Sequence, residues 1–368
     1  MLNSCGHDSK RRYLVNGRFI CPKCFSAIKN KVYYCEYCHE YHSTAIEKIL
    51  LENNTYVCSM IGRFYTSRCS DCGARVLNKN LIDSRCRFCH NVNEYKQKYK
   101  INRYSYNPKE MVCYDDECNK IPLTHDFQGI GIELEVDTGG EKHDMSEMAI
   151  KLLNDEVYCK RDGSLCDGFE IISYPHTYES FKKMNWKNTF RELIVNGYMS
   201  HDSNHCGLHV HMTRSMFTKE MIIKLMYFYE KYWDELVKFS RRDNATASRW
   251  SGRYGALSLA ECEHLYYGMN NRNRHDWRYK AVNLQKPATI EFRLMRGTLN
   301  YKSFMACVEF IVKIAENSAK VTDVDNLSQW LDGLSDNCKE YMGKRKCFGY
   351  DTKSQEEEIN YGGDDLCA

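Results

Sequence analysis

The residues of this chain most suited to chemistry are carboxylates set at every second position. In Gly129-Ile-Gly-Ile-Glu-Leu-Glu-Val-Asp137, Ile130, Ile132, Leu134 and Val136 alternate with Gly131, Glu133, Glu135 and Asp137. A strand with that pattern buries one face and lines three carboxylates along the other. Like charges so spaced repel, and carboxylates withdrawn from water must be paired, protonated or bound to a cation. A solvated outer sheet face would also produce the alternation.

Three further stretches repeat the pattern with a restricted set of polar residues. Glu170 lies opposite Phe169 and Ile171. In Cys206-Gly-Leu-His-Val-His-Met212, Leu208, Val210 and Met212 share one face and His209 and His211 the other. Near the end, Ile290, Phe292 and Leu294 alternate with Glu291 and Arg293. A solvated sheet face would mix in Lys, Thr, Ser and Gln. A concave sheet lined by Glu, His and Arg instead suits hard divalent cations bridging to phosphate, with carboxylates and an imidazole on the metals and arginines on the phosphate oxygens.

The elements that must position these residues follow from periodicity. Strands are expected at 129–137, 157–161, 169–173, 206–212, 279–284 and 289–296, and helices at 146–154, 178–197, 218–242 and 301–317. Thr218 opens the longest of these helices, with Ile222, Leu225, Met226, Tyr229, Tyr232, Trp233, Leu236 and Val237 forming a core stripe. Asp162-Gly-Ser-Leu165 reads as a tight turn, and 251–278 as a long lid or substrate loop. Asp137, at the end of its strand, is expected to be a loop or capping residue. Beyond Ser335 a Lys-, Glu- and Gly-rich tail containing Glu356, Glu357 and Glu358 is expected to be loosely attached.

The chain has 368 residues and a formal charge of +3. The charge is uneven: up to Lys120 there are 20 Lys and Arg against 12 Asp and Glu, giving +8, and 32 against 37 thereafter, giving −5. A basic front end invites an anionic partner such as nucleic acid, though ordinary surface charge has the same sign pattern. No signal-peptide core and no membrane-length apolar run are evident, so a soluble, cytoplasmic protein is expected. Twenty cysteines in such a setting point to metal rather than disulfides. Cys21-Pro-Lys-Cys24 with Cys35-Glu-Tyr-Cys38, and Cys69-Ser-Asp-Cys72 with Cys86-Arg-Phe-Cys89, read as two structural zinc ribbons of four thiolates each. Cys5, His7, His39, His42, Cys58, His90, Cys113 and Cys118 are left over, able to build a third site or to exchange into the first two. Each module is too short to fold on its own core, so zinc would supply the folding energy. Three regions follow: 1–120, tandem zinc ribbons with a linker from 91; 121–320, a mixed α and β domain; and 321–368, a C-terminal helix and acidic tail.

The motifs Gly131-Ile-Glu-Leu-Glu135, Asp162-Gly-Ser-Leu followed by Glu170-Ile-Ile-Ser173, Gly207-Leu-His-Val-His211, and Glu291-Phe-Arg293 with Arg296-Gly-Thr298 occur in one order. Together they resemble the amidoligase family common in phages and bacteria, within the carboxylate-amine ligase superfamily of glutamine synthetase and glutamate-cysteine ligase. The resemblance covers about 128–317 and implies an α+β fold with a curved antiparallel sheet and packed helices. It implies ATP-dependent amide formation through an acyl phosphate from a carboxylate and an amine substrate, with a free metabolite, a peptide and a protein side chain all left open for either. By residue-wise match, Glu133, Glu135, Glu170, His209 and Glu291 would hold Mg²⁺ or Mn²⁺. Arg293 would stabilise the transferring phosphoryl group, His211 would position substrate or nucleotide, and Arg296 would be a second phosphate contact. There is no P-loop, so ATP would sit on the sheet itself.

Two other readings remain open at this stage. One is a non-catalytic adaptor, in which basic zinc ribbons with Arg63, Arg68, Arg75, Arg85 and Arg87 near Phe64, Tyr65 and Phe88 contact nucleic acid or protein beside a ligase-like scaffold. The other is hydrolysis by a thiol, from Cys206 beside His205 and His209.

Overall fold

The computed structural model describes residues 4–201, 206–269 and 278–351. The chain divides into two compact units, Met1–Lys98 and Tyr99–Ala368. Among the described residues no helix is long and apolar enough to cross a membrane.

In the first unit, short strands hold cysteine-bearing turns. Strands Tyr13–Val15, Arg18–Ile20, Val32–Cys35 and Glu40–Ser43 form one sheet, and hairpins of three-residue strands follow at Lys48–Leu50 with Tyr56–Cys58 and at Thr66–Arg68 with Arg75–Leu77. Apolar clusters here are small. One is built on Tyr33, Leu51, Val57, Ile61 and Leu77 among buried cysteines, and another has only Val76 between Cys69 and Cys86. Cores of this size leave cross-links to set the fold.

The second unit is a seven-stranded sheet backed by helices. Its strands are β1 (Ile101–Asn102), β2 (Ile130–Val136), β3 (Val157–Lys160), β4 (Phe169–Ser173), β5 (Leu208–Thr213), β6 (Val282–Asn283) and β7 (Thr289–Phe292). They lie in the order β6-β7-β5-β2-β4-β3-β1, and all neighbours are antiparallel except the β3–β1 edge pair. The expected α+β class and largely antiparallel sheet are therefore present. Residues 99–120, expected to belong with the front region and its linker, lie with the second unit, because β1 pairs with β3 and the Val112–Tyr114 strand hydrogen-bonds to Pro175.

Strand alternation decides which face packs. Ile130, Ile132, Leu134 and Val136 of β2 join Leu208, Val210 and Met212 of β5 and Ile290 and Phe292 of β7 in one core. The helices completing it are α1 (His143–Leu152), α2 (Trp186–Val195), α3 (Lys219–Lys231), α4 (Trp233–Ser240), α5 (Tyr301–Asn317) and α6 (Asp336–Arg345). Phe304 of α5 meets Trp186 and Phe190 of α2 with ring centroids 5.2 and 5.0 Å apart.

Several expected elements are divided or shortened. The helix expected at 178–197 breaks at Met184–Asn185 into Tyr178–Lys183 and α2. That expected at 218–242 breaks at Tyr232 into α3 and α4, although Thr218 does cap its start by accepting the Met221 N–H. The 251–278 loop contains a helix at Leu259–Met269, and 270–277 lies outside the described residues. The first part of the segment beyond Ser335 is docked: α6 buries Cys338, Tyr341 and Met342 against α5, and the Tyr341 hydroxyl donates to the Phe239 carbonyl at 3.0 Å. The acidic stretch Glu356–Glu358 lies outside the described residues.

Gly168, just before β4, lies against the backbone at the end of β2. A Cβ there would stand 1.9 Å from the Val136 carbonyl oxygen and 2.6 Å from the Asp137 Cα, both backbone atoms that cannot swing aside. Gly168→Ala is expected to destabilise the second unit by about 3 kcal/mol, the upper range for overpacking. Chemical denaturation checks this, with Gly163→Ala, which meets nothing within 4 Å, as the neutral control.

Candidate active site and metal centres

The polar face of the sheet is assembled by register. In the antiparallel pairs, Glu135 lies opposite Glu170, Glu133 opposite His209, Gly131 opposite His211, His211 opposite Glu291, and Glu291 opposite Asn283. One diagonal row therefore carries every Glu and His singled out by alternation, from four strands far apart in sequence. Burial makes the row costly unless its charges are met: Glu291 is 1 % exposed and Glu170 3 %.

Glu133 stands at the centre. Its Oε2 is 3.3 Å from Nδ1 of His209 and its Oε1 3.2 Å from Nε2 of His211. Two groups of potential ligand atoms, each within 4.8 Å of one another, share it: Glu133, Glu170 and His209, and Glu133, His211 and Glu291. Burial would raise the Glu133 carboxyl, but His211, His209 and Lys286 outweigh it and hold the group well below the usual carboxylate range. Glu291 is likewise brought down to about 2 against its burial, by His211 and Arg293. Glu170 is pushed well up, by burial first and then by the Glu133 charge. His209 is lowered by burial and by Arg293, which favours the neutral imidazole a ligand needs.

These groups are held from behind. Asn283 donates to Glu291 Oε2 at 2.7 Å, and Arg293 Nη1 donates to its Oε1. Lys160 of β3 reaches Glu170 at 3.6 Å. Within this buried face His211 Nε2 and Arg293 Nε are without a hydrogen bond among the described residues. Although His211 Nε2 lies near Glu133, the contact lacks hydrogen-bond geometry. Carboxylate oxygens, two imidazoles and an orphaned ring nitrogen fit Mg²⁺ or Mn²⁺ better than a thiolate-seeking metal.

Three of the expected site residues have settings that alternation alone does not give. Glu135, expected as a ligand, stands outside both groups: its Oε2 accepts the Gly207 N–H, and burial with the Asp162 charge pushes it up to about 8. His211, expected to position substrate or nucleotide, also brings its Nε2 among the potential ligands. Arg296 is placed at the Gly207 bridge, with Nη1 donating to the Arg241 carbonyl at 3.5 Å. Asp137 caps as expected, accepting the N–H groups of Thr138, Cys166 and Asp167. Residues not anticipated are Lys160, Asn283 and Lys286, and Arg242, which is buried and donates to the Leu294 and Met295 carbonyls. Lys160 and Asn283 follow the strand alternation of their neighbours and were readable from it; Lys286 and Arg242 carry no periodic signal. For the thiol reading, Cys206 is buried and His205 lies outside the described residues.

The first unit gathers three thiol clusters among its described residues, where two were expected. Cys69, Cys72, Cys86 and Cys89 come together as expected. The other expected set divides. Cys21 and Cys24 meet Cys5 and His7, with His7 Nδ1 3.4 Å from Cys24 Sγ, while Cys35 and Cys38 meet His42 and Cys58. Strand pairing is the cause: the hairpin bringing Val32–Cys35 onto Glu40–Ser43 turns Cys38 to 3.1 Å from His42 Nε2, and the Cys58 N–H donates to Cys35 Sγ. Backbone N–H groups lower Cys5 and Cys69 to about 6, the thiolate bias of metal-binding turns. All three clusters have donor sets that could bind zinc.

No curated protein matches the chain. Residues 133–315, which run from the first carboxylate of the polar row through most of α5, match the family described as "putative amidoligase enzyme", and this supports an enzyme of ligase type.

Proposed function

We propose that the chain is an ATP-dependent carboxylate-amine ligase working through an acyl phosphate. The observation that carries the reading is the carboxylate of Glu133, shared by two potential cation positions beside Arg293, within a segment matching the amidoligase family. A pair of Mg²⁺ or Mn²⁺ ions, when bound, supplies the positive charge that aligns and neutralises the phosphates of ATP.

The chain's own residues do the rest. Glu133 splits its two oxygens between the His209 side and the His211 side, so one carboxylate fixes both positions. Glu170 and Glu291 close the two ends of the row. Arg293, with one N–H on Glu291 and its Nε unsatisfied, is placed to stabilise charge on the transferring phosphoryl group. A carboxylate oxygen of the acid attacks the γ-phosphorus and ADP leaves. The amine then attacks the acyl carbon, loses a proton, and phosphate departs with the acid's oxygen. Positioning and charge neutralisation suffice, and no covalent enzyme intermediate is required.

In the presence of Mn²⁺ and a pool of amino acids and peptides, the protein is expected to release ADP and phosphate in proportion to amide formed. Glu133→Gln should lower the rate by about 10³-fold or more, since it removes a charge from both positions at once. Unchanged turnover in that variant, with its far-UV spectrum intact, would end this reading.

The three thiol clusters are best read as structural zinc centres, two with three cysteines and one histidine and the third with four cysteines. All four positions of each are protein donors, leaving none for substrate. Metal analysis should find close to three zinc ions per chain, and Cys58→Ser should lose one while the other two persist. A stoichiometry of two in the wild type would instead restore the pairing of Cys21 and Cys24 with Cys35 and Cys38. Exposed Phe64 and Phe88, 71 % and 75 % accessible, beside Arg63 and Arg87, support a nucleic-acid contact as an added role of this unit. Such binding should weaken steeply with salt in a filter-binding assay of the full chain, and salt-independent or absent binding would remove it.

A further inference from the structure

Lys286 lies on the connection between β6 and β7, outside every periodic pattern, yet its ammonium reaches the centre of the polar row. Nζ stands 3.5 Å from Glu133 Oε1 and 3.5 Å from Glu291 Oε2, while the side chain is 45 % exposed. It therefore spans from solvent to the two carboxylates. Arg293 approaches the same Glu291 with a side chain only 12 % exposed, so the two cations reach that carboxylate from settings of different accessibility.

The loop is built to hold this lysine. Arg214, the first residue after β5, donates Nη1 to the Leu284 carbonyl at 3.0 Å and to the Lys286 carbonyl at 3.2 Å. Its backbone N–H donates to the Ala288 carbonyl at 2.9 Å. Asn283 Oδ1 accepts the Gln285 N–H at 3.0 Å while its amide group holds Glu291. These hydrogen bonds tie a short exposed connection to the strand ends that carry His211 and Glu291. A lysine serving only solubility would not require its carbonyl to be clamped.

We propose that Lys286 is a further catalytic residue of the ligase reaction, contacting the phosphoryl oxygens of the nucleotide, and that Arg214 is the positioning residue that holds it there. The inference rests on the ligase reading of the same site. A half-exposed ammonium beside buried carboxylates is attracted inward by Glu133 and Glu291, and a phosphate anion bound at this row would offer it stronger, charge-assisted hydrogen bonds. Its flexible stem lets it follow the phosphoryl group as negative charge builds on the bridging oxygen that leaves with ADP.

The test uses the full chain and two separate titrations, Mn²⁺ alone by electron paramagnetic resonance, and the β,γ-imido analogue of ATP by calorimetry with Mn²⁺ present. Lys286→Met should weaken the analogue by about tenfold or more while Mn²⁺ affinity changes by less than about threefold, and Lys286→Arg should recover most of the loss. Arg214→Met should weaken the analogue partly, and this effect should disappear in the Lys286→Met background, which a merely structural role would not produce. If Lys286→Met binds Mn²⁺ about tenfold more tightly and keeps the wild-type affinity for the analogue, Lys286 is only a countercharge for Glu133 and Glu291 and the proposal is wrong. If the wild type binds neither Mn²⁺ nor the analogue, the ligase reading fails and this inference with it. Wild-type turnover with an unaffected Lys286→Met variant would overturn the inference alone.

Discussion

Four carboxylates, those of Glu133, Glu135, Glu170 and Glu291, are brought to one buried sheet face, and the rest of the second unit is arranged around that electrostatic constraint. Left unmet, such a face would oppose folding by mutual repulsion and lost hydration. The structure meets it in graded ways. Glu291 is held ionised by His211, Arg293 and an asparagine; Glu133 by two histidines and Lys286; Glu170 and Glu135 are pushed toward the protonated form. Sites in which neighbouring carboxyls are driven apart in this way are those where charge is handled as part of function.

Much of this site was legible because a strand places alternate residues on one face. The alternation in 130–136, 208–212 and 290–293 assigns Glu133, His209, His211 and Glu291 to a common polar side without knowledge of which strand pairs with which. What the pattern cannot supply is register. Opposite Glu135 stands Glu170, and the Gly207 N–H takes its oxygen, so Glu135 is drawn away from the cluster that Glu133 forms with both histidines. Lys286 and Arg214 were unreadable for a related reason: one is in a loop and the other follows a strand, and only the folded β5–β7 pairing makes their contact.

The cysteines teach the same lesson in the first unit. C-x2-C spacing correctly marks each knuckle, since two thiolates so spaced can face one ion, but it does not say which knuckle joins which. Local pairing decides: the hairpin after Cys35 supplies His42, and the Tyr56–Cys58 strand supplies Cys58, before Cys21 can be reached. A helix was expected after 321, but the docking of α6 was not, because its composition is that of a solvated segment; Cys338, Tyr341 and Met342 are nonetheless buried against α5.

Glu133 belongs to both groups of potential ligand atoms, as a bridge between two cations would. Titrating the zinc-loaded protein with Mn²⁺ and recording its electron paramagnetic resonance spectrum addresses this most directly. A bridging role for Glu133 gives two bound Mn²⁺ per chain with the signal broadened by magnetic coupling through a shared carboxylate. One isolated, uncoupled ion, or none, would contradict it.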